Sequence, residues 1–143
     1  MIEEPLEQLG LPDDAHEWLL SMWRVTQFLD DVADKDDINE DEFNNALWDI
    51  MLRMPSNSFY RANVDALAPV IALQTLKWQA ANVVEKSGSA DERSYMWRAG
   101  YYDLVLMVCL LCFGSAMKVQ KAVDALMIYG ESYADYTKEF ENA

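Results

Sequence analysis

Apolar residues recur at intervals of three and four along almost the whole of this 143-residue chain, and this spacing constrains its fold more than any other feature. One face of an α-helix repeats about every 3.6 residues, whereas a half-buried strand alternates with a period of about two. No apolar stretch alternates in that way, and 5 Gly and 4 Pro are too few for the turns of a many-stranded sheet. We therefore predict an all-α fold, with residues 1–143 forming a single-domain bundle of about five helices.

The first helix is predicted from about Asp13 to Lys35, after a loosely ordered N-terminus of residues 1–12. Acidic residues in its first turn suit the positive end of the helix dipole. Its apolar positions advance by four and three residues, so that they form one stripe facing a core. This stripe consists of Trp18, Met22, Val25, Leu29 and Val32.

A short second helix follows and ends near Pro55. Asn39 and Glu42 have the spacing of a variant capping box, in which each side chain satisfies an exposed backbone N–H of the other residue. The apolar positions of this helix also repeat at helical spacing. They are Phe43, Ala46, Leu47, Ile50 and Met51.

A third helix is predicted over residues 63–86, where Pro69 either introduces a kink or marks the true first turn. Ser89 and Glu92 form a second capping box, which opens a fourth helix reaching about residue 113. The apolar run that ends this helix, residues 104–113, is too short to span a bilayer. It contains both cysteines, and mid-helix thiols among Leu, Val and Met are expected to be buried rather than redox-active.

The last predicted helix begins after Gly114, with Ser115 as its cap. Its apolar and aromatic positions keep a spacing of three and four over three heptads, which is typical of a packing seam. The seam could pack inside the monomer or against a second copy of the chain. The interface candidates on it are Leu126, Tyr129, Tyr133, Tyr136 and Phe140.

The chain has 11 basic and 25 acidic side chains, and its net charge of −14 would repel nucleic acid and an anionic membrane. Half of this charge lies in residues 30–42, the acidic segment, where Lys35 is the only basic residue. Its carboxylates are Asp30, Asp31, Asp34, Asp36, Asp37, Glu40, Asp41 and Glu42. Because the N-terminus lacks the basic start and apolar core of a targeting peptide, a cytoplasmic location is expected.

The acidic segment also contains a candidate metal site. Asp30 and Asp34 lie one helical turn apart on the same face, beside Asp31, and carboxylates so placed could share a divalent cation. Mg²⁺ commonly takes one or two carboxylates together with substrate phosphates. If helices one and four are neighbours, Asp103 could be a further ligand. The alternative is a solvated acidic helix end that needs no cofactor.

Asp103 is the only carboxylate within residues 99–113, on a helix that is apolar nearly all the way round. A buried carboxylate has to pair with a cation, accept several hydrogen bonds, bind a metal or stay protonated. We expect an internal ion pair between Asp103 and an arginine. The arginines on otherwise apolar stretches are Arg98, Arg61, Arg53 and Arg24.

Two resemblances to known proteins are visible. FLDDVADKDD, residues 28–37, resembles the D-D-x-x-D first aspartate motif of the trans-isoprenoid diphosphate synthases, which are all-helical and bind Mg²⁺ diphosphate there; no second such motif follows. The same segment, with PSNSFYRANVDALAPVIALQTLKWQAANVVE and RSYMWRAGYYDLVLMVCLLCFG, is similar to uncharacterised helical proteins of tailed bacteriophages and prophages. That resemblance implies a viral or prophage context and carries no known active site.

The sequence favours a non-catalytic interaction or assembly module over an enzyme, because it contains no P-loop, nucleophile elbow or dinucleotide fingerprint. Such a module would need no cofactor, and its acidic end or aromatic seam would contact a protein partner or a second copy. One alternative is a Mg²⁺-dependent hydrolase of a diphosphate or nucleotide. The other is a DNA mimic whose carboxylates imitate phosphates.

Overall fold

The computed structural model describes residues 2–141, and every regular element in that range is helical. The all-α prediction is confirmed, but the helical segments are more numerous than about five because several predicted helices are interrupted. A π-helical segment, Asp49–Arg53, joins α3 to α4, and a 3₁₀ turn, Gly114–Ala116, follows α7. The α-helices are α1 (Glu3–Glu7), α2 (Asp13–Ala33), α3 (Glu40–Trp48), α4 (Met54–Ser56), α5 (Ser58–Lys86), α6 (Glu92–Trp97), α7 (Gly100–Phe113), α8 (Val119–Leu126) and α9 (Tyr133–Glu141).

The helices fall into two compact units, Met1–Val64 and Asp65–Ala143. The boundary lies inside α5, next to Asn63, whose backbone angles of φ −127° and ψ 16° are not helical. The Asn63 side chain donates a hydrogen bond of 2.9 Å to the Phe59 carbonyl. A side chain that bonds to the backbone in this way competes with the helical ladder, which explains the kink.

The N-terminus contributes to the core of the first unit, contrary to the expectation of a loose start. Leu6 of α1 is fully buried, and Ile2 and Leu9 on either side of this helix are nearly so. Burying a Leu side chain is worth about 1.5–3 kcal/mol, which offsets the cost of ordering so short a helix. Tertiary packing therefore orders residues whose local sequence carries a weak helix signal.

Helix α2 follows its predicted apolar stripe in the first part of its length. Trp18 is fully buried, its ring stacks on Tyr60 with centroids 5.6 Å apart, and Met22 is also buried. Leu29 and Val32 continue the same stripe but are 43% and 48% exposed. The C-terminal part of α2 therefore extends beyond the core of the unit, at the point where the acidic segment begins.

In the second unit α7 supplies most of the buried side chains, in agreement with its apolar composition. Leu104, Val105 and Val108 are fully buried. At its first residue, Gly100, an added Cβ would lie 3.0 Å from the Cγ of Gln74 in α5. The absence of a side chain at this position allows α5 and α7 to approach each other closely.

Two features predicted for helix starts, the role of Pro69 and the second capping box, differ from the structure. Pro69 neither begins α5 nor marks its kink, because the non-helical backbone is upstream at Asn63. The fourth predicted helix is opened by a capping box of Asp91 and Ser94 in place of Ser89 and Glu92. It is also divided into α6 and α7 by the turn at residues 98–99.

The predicted C-terminal seam is not one continuous helix. Ser115, its predicted cap, lies in the 3₁₀ turn after α7, and residues 127–132 separate α8 from α9. The spacing of three and four continues across this loop, so the heptad pattern overestimated the length of the helix. The two short helices can consequently place their aromatic residues independently.

Residues 92–116 form one segment that, by length and composition alone, could cross a membrane. Its most apolar window has a mean hydropathy of 1.6, and 39% of that window is buried in the structure. The segment is longer than the run of residues 104–113 considered in the sequence, because it adds α6 and the 3₁₀ turn. Core helices of globular proteins have the same properties, so the cellular location stays a prediction.

Candidate functional site

The candidate metal ligands lie in different parts of the chain. Asp30 and Asp31 are in the last turn of α2, Asp34 follows that helix, and Asp103 belongs to α7 in the second unit. Residues 2–141 contain no group of three or more His, Cys, Asp or Glu side chains that could hold a metal ion. The magnesium site therefore stays a prediction without a ligand cluster to support it.

Glu42 and Asp31 connect the start of α3 to the end of α2. Asn39 caps α3 as predicted, because its side chain accepts a hydrogen bond of 2.8 Å from the Glu42 N–H. The Glu42 carboxyl interacts with the Asp31 carboxyl, and this interaction together with desolvation raises the pKa of Glu42. Negative charge from α2 and from α3 is thus brought close together in the acidic segment.

Asp103 pairs with a lysine rather than an arginine. The Lys77 Nζ of α5 lies 2.9 Å from the Asp103 Oδ2, and both side chains are 46% exposed. The prediction of a buried ion pair at Asp103 is therefore wrong. Although α7 is apolar on most sides, this position faces an open groove beside α5, where water reaches the carboxylate.

The groove beside Asp103 has a volume of about 390 Å³ and lies entirely within the second unit. Lys77 and Asp103 are the charged side chains among its lining residues, and they bind each other. The apolar lining residues are Val70, Leu73, Leu106, Met107, Leu110 and Met117. Such a lining can bind apolar groups but offers no nucleophile and base in catalytic arrangement.

The two other ion-pair candidates differ from each other. Arg98 is 18% exposed and pairs with Glu85, its Nη1 lying 3.0 Å from the Glu85 Oε1, with Glu85 11% exposed. Arg98 therefore does form a largely buried ion pair, but its partner is in α5 and is not Asp103. Arg61 is exposed to solvent.

Tyr136, one of the five interface candidates, is part of the core of the second unit. It is 1% exposed, and its hydroxyl donates to Glu85 at 2.8 Å and lies 2.6 Å from the Ser94 Oγ. Burial raises the pKa of Tyr136 to about 12. The ring of Tyr95 contacts those of Tyr133 and Tyr136, with both centroid distances 5.4 Å.

The remaining seam residues are divided between this aromatic cluster and the surface. The Tyr129 ring packs against Tyr102 with centroids 5.1 Å apart, and Phe140 lies 5.0 Å from Tyr136. Leu126 and Tyr133 are 46% and 41% exposed. Of the two alternatives left open by the sequence, packing inside the chain applies to Tyr136, which is therefore not available as an interface residue.

The helix formed by α3 and the π-helical segment exposes most of its apolar stripe to solvent, whereas an ordinary surface helix buries it. A stripe at helical spacing normally faces a core. Here Ala46 is buried as such a stripe requires, but the other predicted members are exposed, Met51 by 70%. The exposed apolar residues, which we call the α3 face, are Phe43, Leu47, Trp48, Ile50, Met51 and Leu52.

The side chain that this helix buries instead is a carboxylate. Asp49 is fully buried and accepts a hydrogen bond of 3.0 Å from the Ser21 hydroxyl. Arg24 donates to both of its oxygens, with Nε 2.9 Å from Oδ2 and Nη2 3.0 Å from Oδ1. Arg53 completes the site, its Nη1 lying 2.9 Å from the Asp49 Oδ1. Both carboxylate oxygens thus accept hydrogen bonds.

Arg53 also explains how the chain tolerates the π-helical segment. Its Nη1 donates to Asp49, four residues before Arg53 in the chain, and also to the Asn45 carbonyl at 3.3 Å. The widened turn is therefore tied to α3 by a side chain at its far end. π-helical turns are rare, and they occur frequently at functional sites.

Burial disfavours the charged form of Asp49, but its hydrogen bonds to Arg24, Arg53 and Ser21 outweigh this effect and hold its pKa below the ordinary value. The carboxylate consequently stays ionised at neutral pH. Rotating the helix to bury the α3 face would remove Asp49 from its cations and leave unpaired charges, which costs several kcal/mol. The ion pair therefore fixes which side of the helix faces solvent.

Asp49 was not among the predicted site residues, although the sequence around it contains a signal. It is the only ionisable residue within ALWDIML, residues 46–52, just as Asp103 is the only carboxylate in its own apolar stretch. The two positions have the same local signature but opposite environments. The deciding groups, Ser21 and Arg24, lie on another helix and have no sequence relationship to Asp49 that spacing could reveal.

Comparisons with models of protein families, with curated proteins and with solved structures found no match to this chain.

Proposed function

We propose that this chain is a non-catalytic interaction module that binds a protein partner on the α3 face. The observation that carries the proposal is that the helix over residues 43–52 buries Asp49 and exposes six large apolar side chains. Single exposed apolar residues are normal on protein surfaces, but a contiguous apolar patch is typical of an interaction site. Trp48, which is 55% exposed, is the residue type most often found at the energetic centre of interfaces.

Energetic considerations support the same proposal. Leaving a Leu, Ile or Met side chain exposed forgoes about 1.5–3 kcal/mol of the free energy that its burial would contribute. The pairing of Asp49 with Arg24 and Arg53 holds the helix in the orientation in which these apolar side chains stay exposed. A partner that covers the α3 face would recover it on binding, which is the usual source of affinity at the centre of an interface.

The other features of the chain support a binding role better than an enzymatic one. The charged residues lining the groove of the second unit are engaged with each other, and the candidate metal ligands form no cluster among residues 2–141. The resemblance of three segments to phage and prophage proteins supports a viral setting for the module, which is part of the same proposal. Self-association is an alternative form of the interaction, and the partner could then be a second copy.

A site-specific photo-crosslinker in place of Met51 tests the proposal in cells that produce the chain. We expect a discrete crosslinked species at Met51 and at Leu47, because both side chains lie on the α3 face. The matched control is Val119, which is 81% exposed but lies on α8 in the second unit. Equal crosslinking at all three positions, or none at Met51 and Leu47, would refute the proposal.

A further inference from the structure

The charge around the α3 face is concentrated at one end. Glu40, Asp41 and Glu42 form the first turn of α3, immediately before Phe43, the first residue of the face. Asp36 and Asp37, in the connection from α2, are exposed. A partner lying along the face would therefore meet the acidic segment at the N-terminal end of α3.

The opposite end of the face has no comparable charge. Arg53 follows Leu52, but its guanidinium is bound to Asp49 and to the Asn45 carbonyl. The buried Asp49 is in turn neutralised by Arg24 as well. Along the helix itself, the α3 face is thus strongly negative at its N-terminal end, and the charged residues beyond Phe43 are Asp49 and Arg53, which bind each other.

The acidic segment itself would be stabilised by an incoming cation. Asp31 lies in the last turn of α2, and Glu40, Asp41 and Glu42 form the first turn of α3, so carboxylates of two helices meet in this segment. Lys35 is the only basic residue in the segment and stands beside eight carboxylates. Lysine or arginine side chains of a partner would find several acceptors there within reach of a single helical turn.

The same charge disfavours other occupants of the face. A second copy lying parallel would bring its own acidic segment against this one, and like charges brought together at an interface cost several kcal/mol. A second copy lying antiparallel would place each acidic segment at the opposite end of the face, where Arg53 is already bound to Asp49. An anionic membrane would be repelled for the same reason, since amphipathic helices that lie on such membranes present basic residues.

We infer that the α3 face binds a cationic amphipathic helix, whose apolar stripe covers Leu47, Trp48 and Met51 and whose basic residues cluster at the end that meets the acidic segment. This inference rests on the proposed function and specifies the chemistry of the partner. Helices that place an apolar stripe in an apolar surface are a recurrent form of protein recognition. Here the asymmetric charge would fix the direction in which the helix lies.

The test uses the full chain and fluorescent synthetic peptides, with binding measured by anisotropy at low ionic strength. The first peptide is an amphipathic helix of about 18 residues, or five turns, built from Leu and Lys with the lysines concentrated toward one end. In the second peptide Gln replaces every Lys. The third has the composition of the first in a shuffled order that forms no apolar stripe.

Two sets of protein variants separate the apolar and charged contributions. Trp48→Ala with Met51→Ala removes apolar contacts at exposed positions. A charge-neutralised variant carries Asp36→Asn, Asp37→Asn, Glu40→Gln and Asp41→Asn. Its matched control removes four exposed carboxylates elsewhere, by Glu4→Gln, Glu7→Gln, Asp65→Asn and Asp135→Asn. Circular dichroism confirms that each variant keeps its helical content.

We expect the first peptide to bind at least about tenfold more tightly than the second or third. Affinity should fall at least about tenfold in the apolar variant and in the charge-neutralised variant. The matched control, which has the same net charge as the charge-neutralised variant, should change affinity by about twofold or less. Added salt should weaken binding of the first peptide but leave the second almost unchanged.

Other outcomes would overturn the inference. Binding that depends on charge but not on Trp48 and Met51 would mean that the peptide is only an adventitious counterion. Equal binding of the first two peptides, lost in the apolar variant, would leave the proposed function intact and refute the cationic partner. Concentration-dependent dimerisation lost in the apolar variant, or sedimentation with anionic phospholipid vesicles, would assign the face to a second copy or a membrane. If no peptide binds, crosslinking at Met51 decides whether the proposed function fails as well.

Discussion

Arg24 holds Asp49 through two parallel hydrogen bonds, from Nε to Oδ2 at 2.9 Å and from Nη2 to Oδ1 at 3.0 Å. This bidentate arrangement fixes the relative orientation of the two side chains, because the planar guanidinium matches the carboxylate in geometry. It links α2 to the segment after α3 and sets the rotation of that segment about its own axis. The exposure of the α3 face is a consequence of this pair.

Removing Asp49 should therefore destabilise the chain more than removing Asp103. We expect Asp49→Ala to lower the free energy of unfolding by about 2–3 kcal/mol, less than the about 3–5 kcal/mol of a wholly buried pair because Arg24 and Arg53 reach water. Asp103→Ala breaks a half-exposed pair and should cost less than about 1 kcal/mol. Urea melts at neutral pH compare the two variants. Equal losses would mean that Asp49 is not the more buried carboxylate.

The contribution of Asp49 should disappear in acid. Its pKa is lower in the folded chain than in the unfolded chain, so its stabilising effect is present above the unfolded value of about 3.9 and is lost as the pH falls through the folded value. The stability difference between the natural chain and Asp49→Asn should thus be constant near neutrality and shrink below about pH 4. Met51→Ala, which removes no titrating group, is the control. A difference that stays constant into strong acid would contradict this prediction.

Apolar residues of the first unit should differ sharply in their importance for folding. Leu19 is fully buried, so Leu19→Ala should cost about 2–5 kcal/mol through lost burial and cavity formation. Met51 is 70% exposed, so Met51→Ala should change the free energy of unfolding by less than about 0.5 kcal/mol. Chemical denaturation of both variants measures this. A large loss at Met51 would show that the α3 face is covered within the chain itself.

Alkaline pH should weaken the second unit through its buried tyrosines. Burial raises the pKa of Tyr102 and of Tyr136 to about 12 each, from an ordinary value of 10.0. Their stabilising effect is complete below about pH 10 and is lost as the pH rises toward 12, because the unfolded chain releases these protons first. We expect the stability of the natural chain to fall between pH 10 and about pH 12. Tyr136→Phe should reduce this fall, and phenolate absorbance of the denatured chain supplies the reference titration.

Cys109 should react slowly with thiol reagents in the folded chain. It is buried, and desolvation together with the neighbouring Cys112 outweighs the influence of Lys121 and raises its pKa to about 11. Because the thiolate is the reactive species, both access and ionisation are restricted. A Cys112→Ser variant, which retains Cys109, should be labelled at least about a hundredfold faster after denaturation than before it. Similar rates in both states would place Cys109 at the surface.

Much of the fold was predictable from local sequence. Helical spacing predicted the all-α class, and the position of α2 and the Asn39 cap of α3 were also anticipated. These features depend on residues within a few positions of each other, where backbone geometry dictates the outcome. The prediction of one continuous C-terminal helix was wrong, because the heptad spacing persists across residues 127–132. These residues form a loop, which the pattern could not distinguish from a helical turn.

Only the tertiary structure decided that α3 exposes its apolar stripe and that Asp103 reaches water. Asp49 and Asp103 both stand in apolar helical stretches, but Asp49 is fully buried against Arg24, whereas Asp103 meets Lys77 beside an open groove. Periodicity identifies a stripe, whereas burial depends on which helix packs against it. The cost of an unpaired buried charge exceeds the gain from burying a few apolar side chains, and the partner of that charge can lie anywhere in the sequence. The α3 face is therefore exposed because Arg24 of α2 pairs with Asp49, a contact that cannot be predicted from the sequence of either helix by itself.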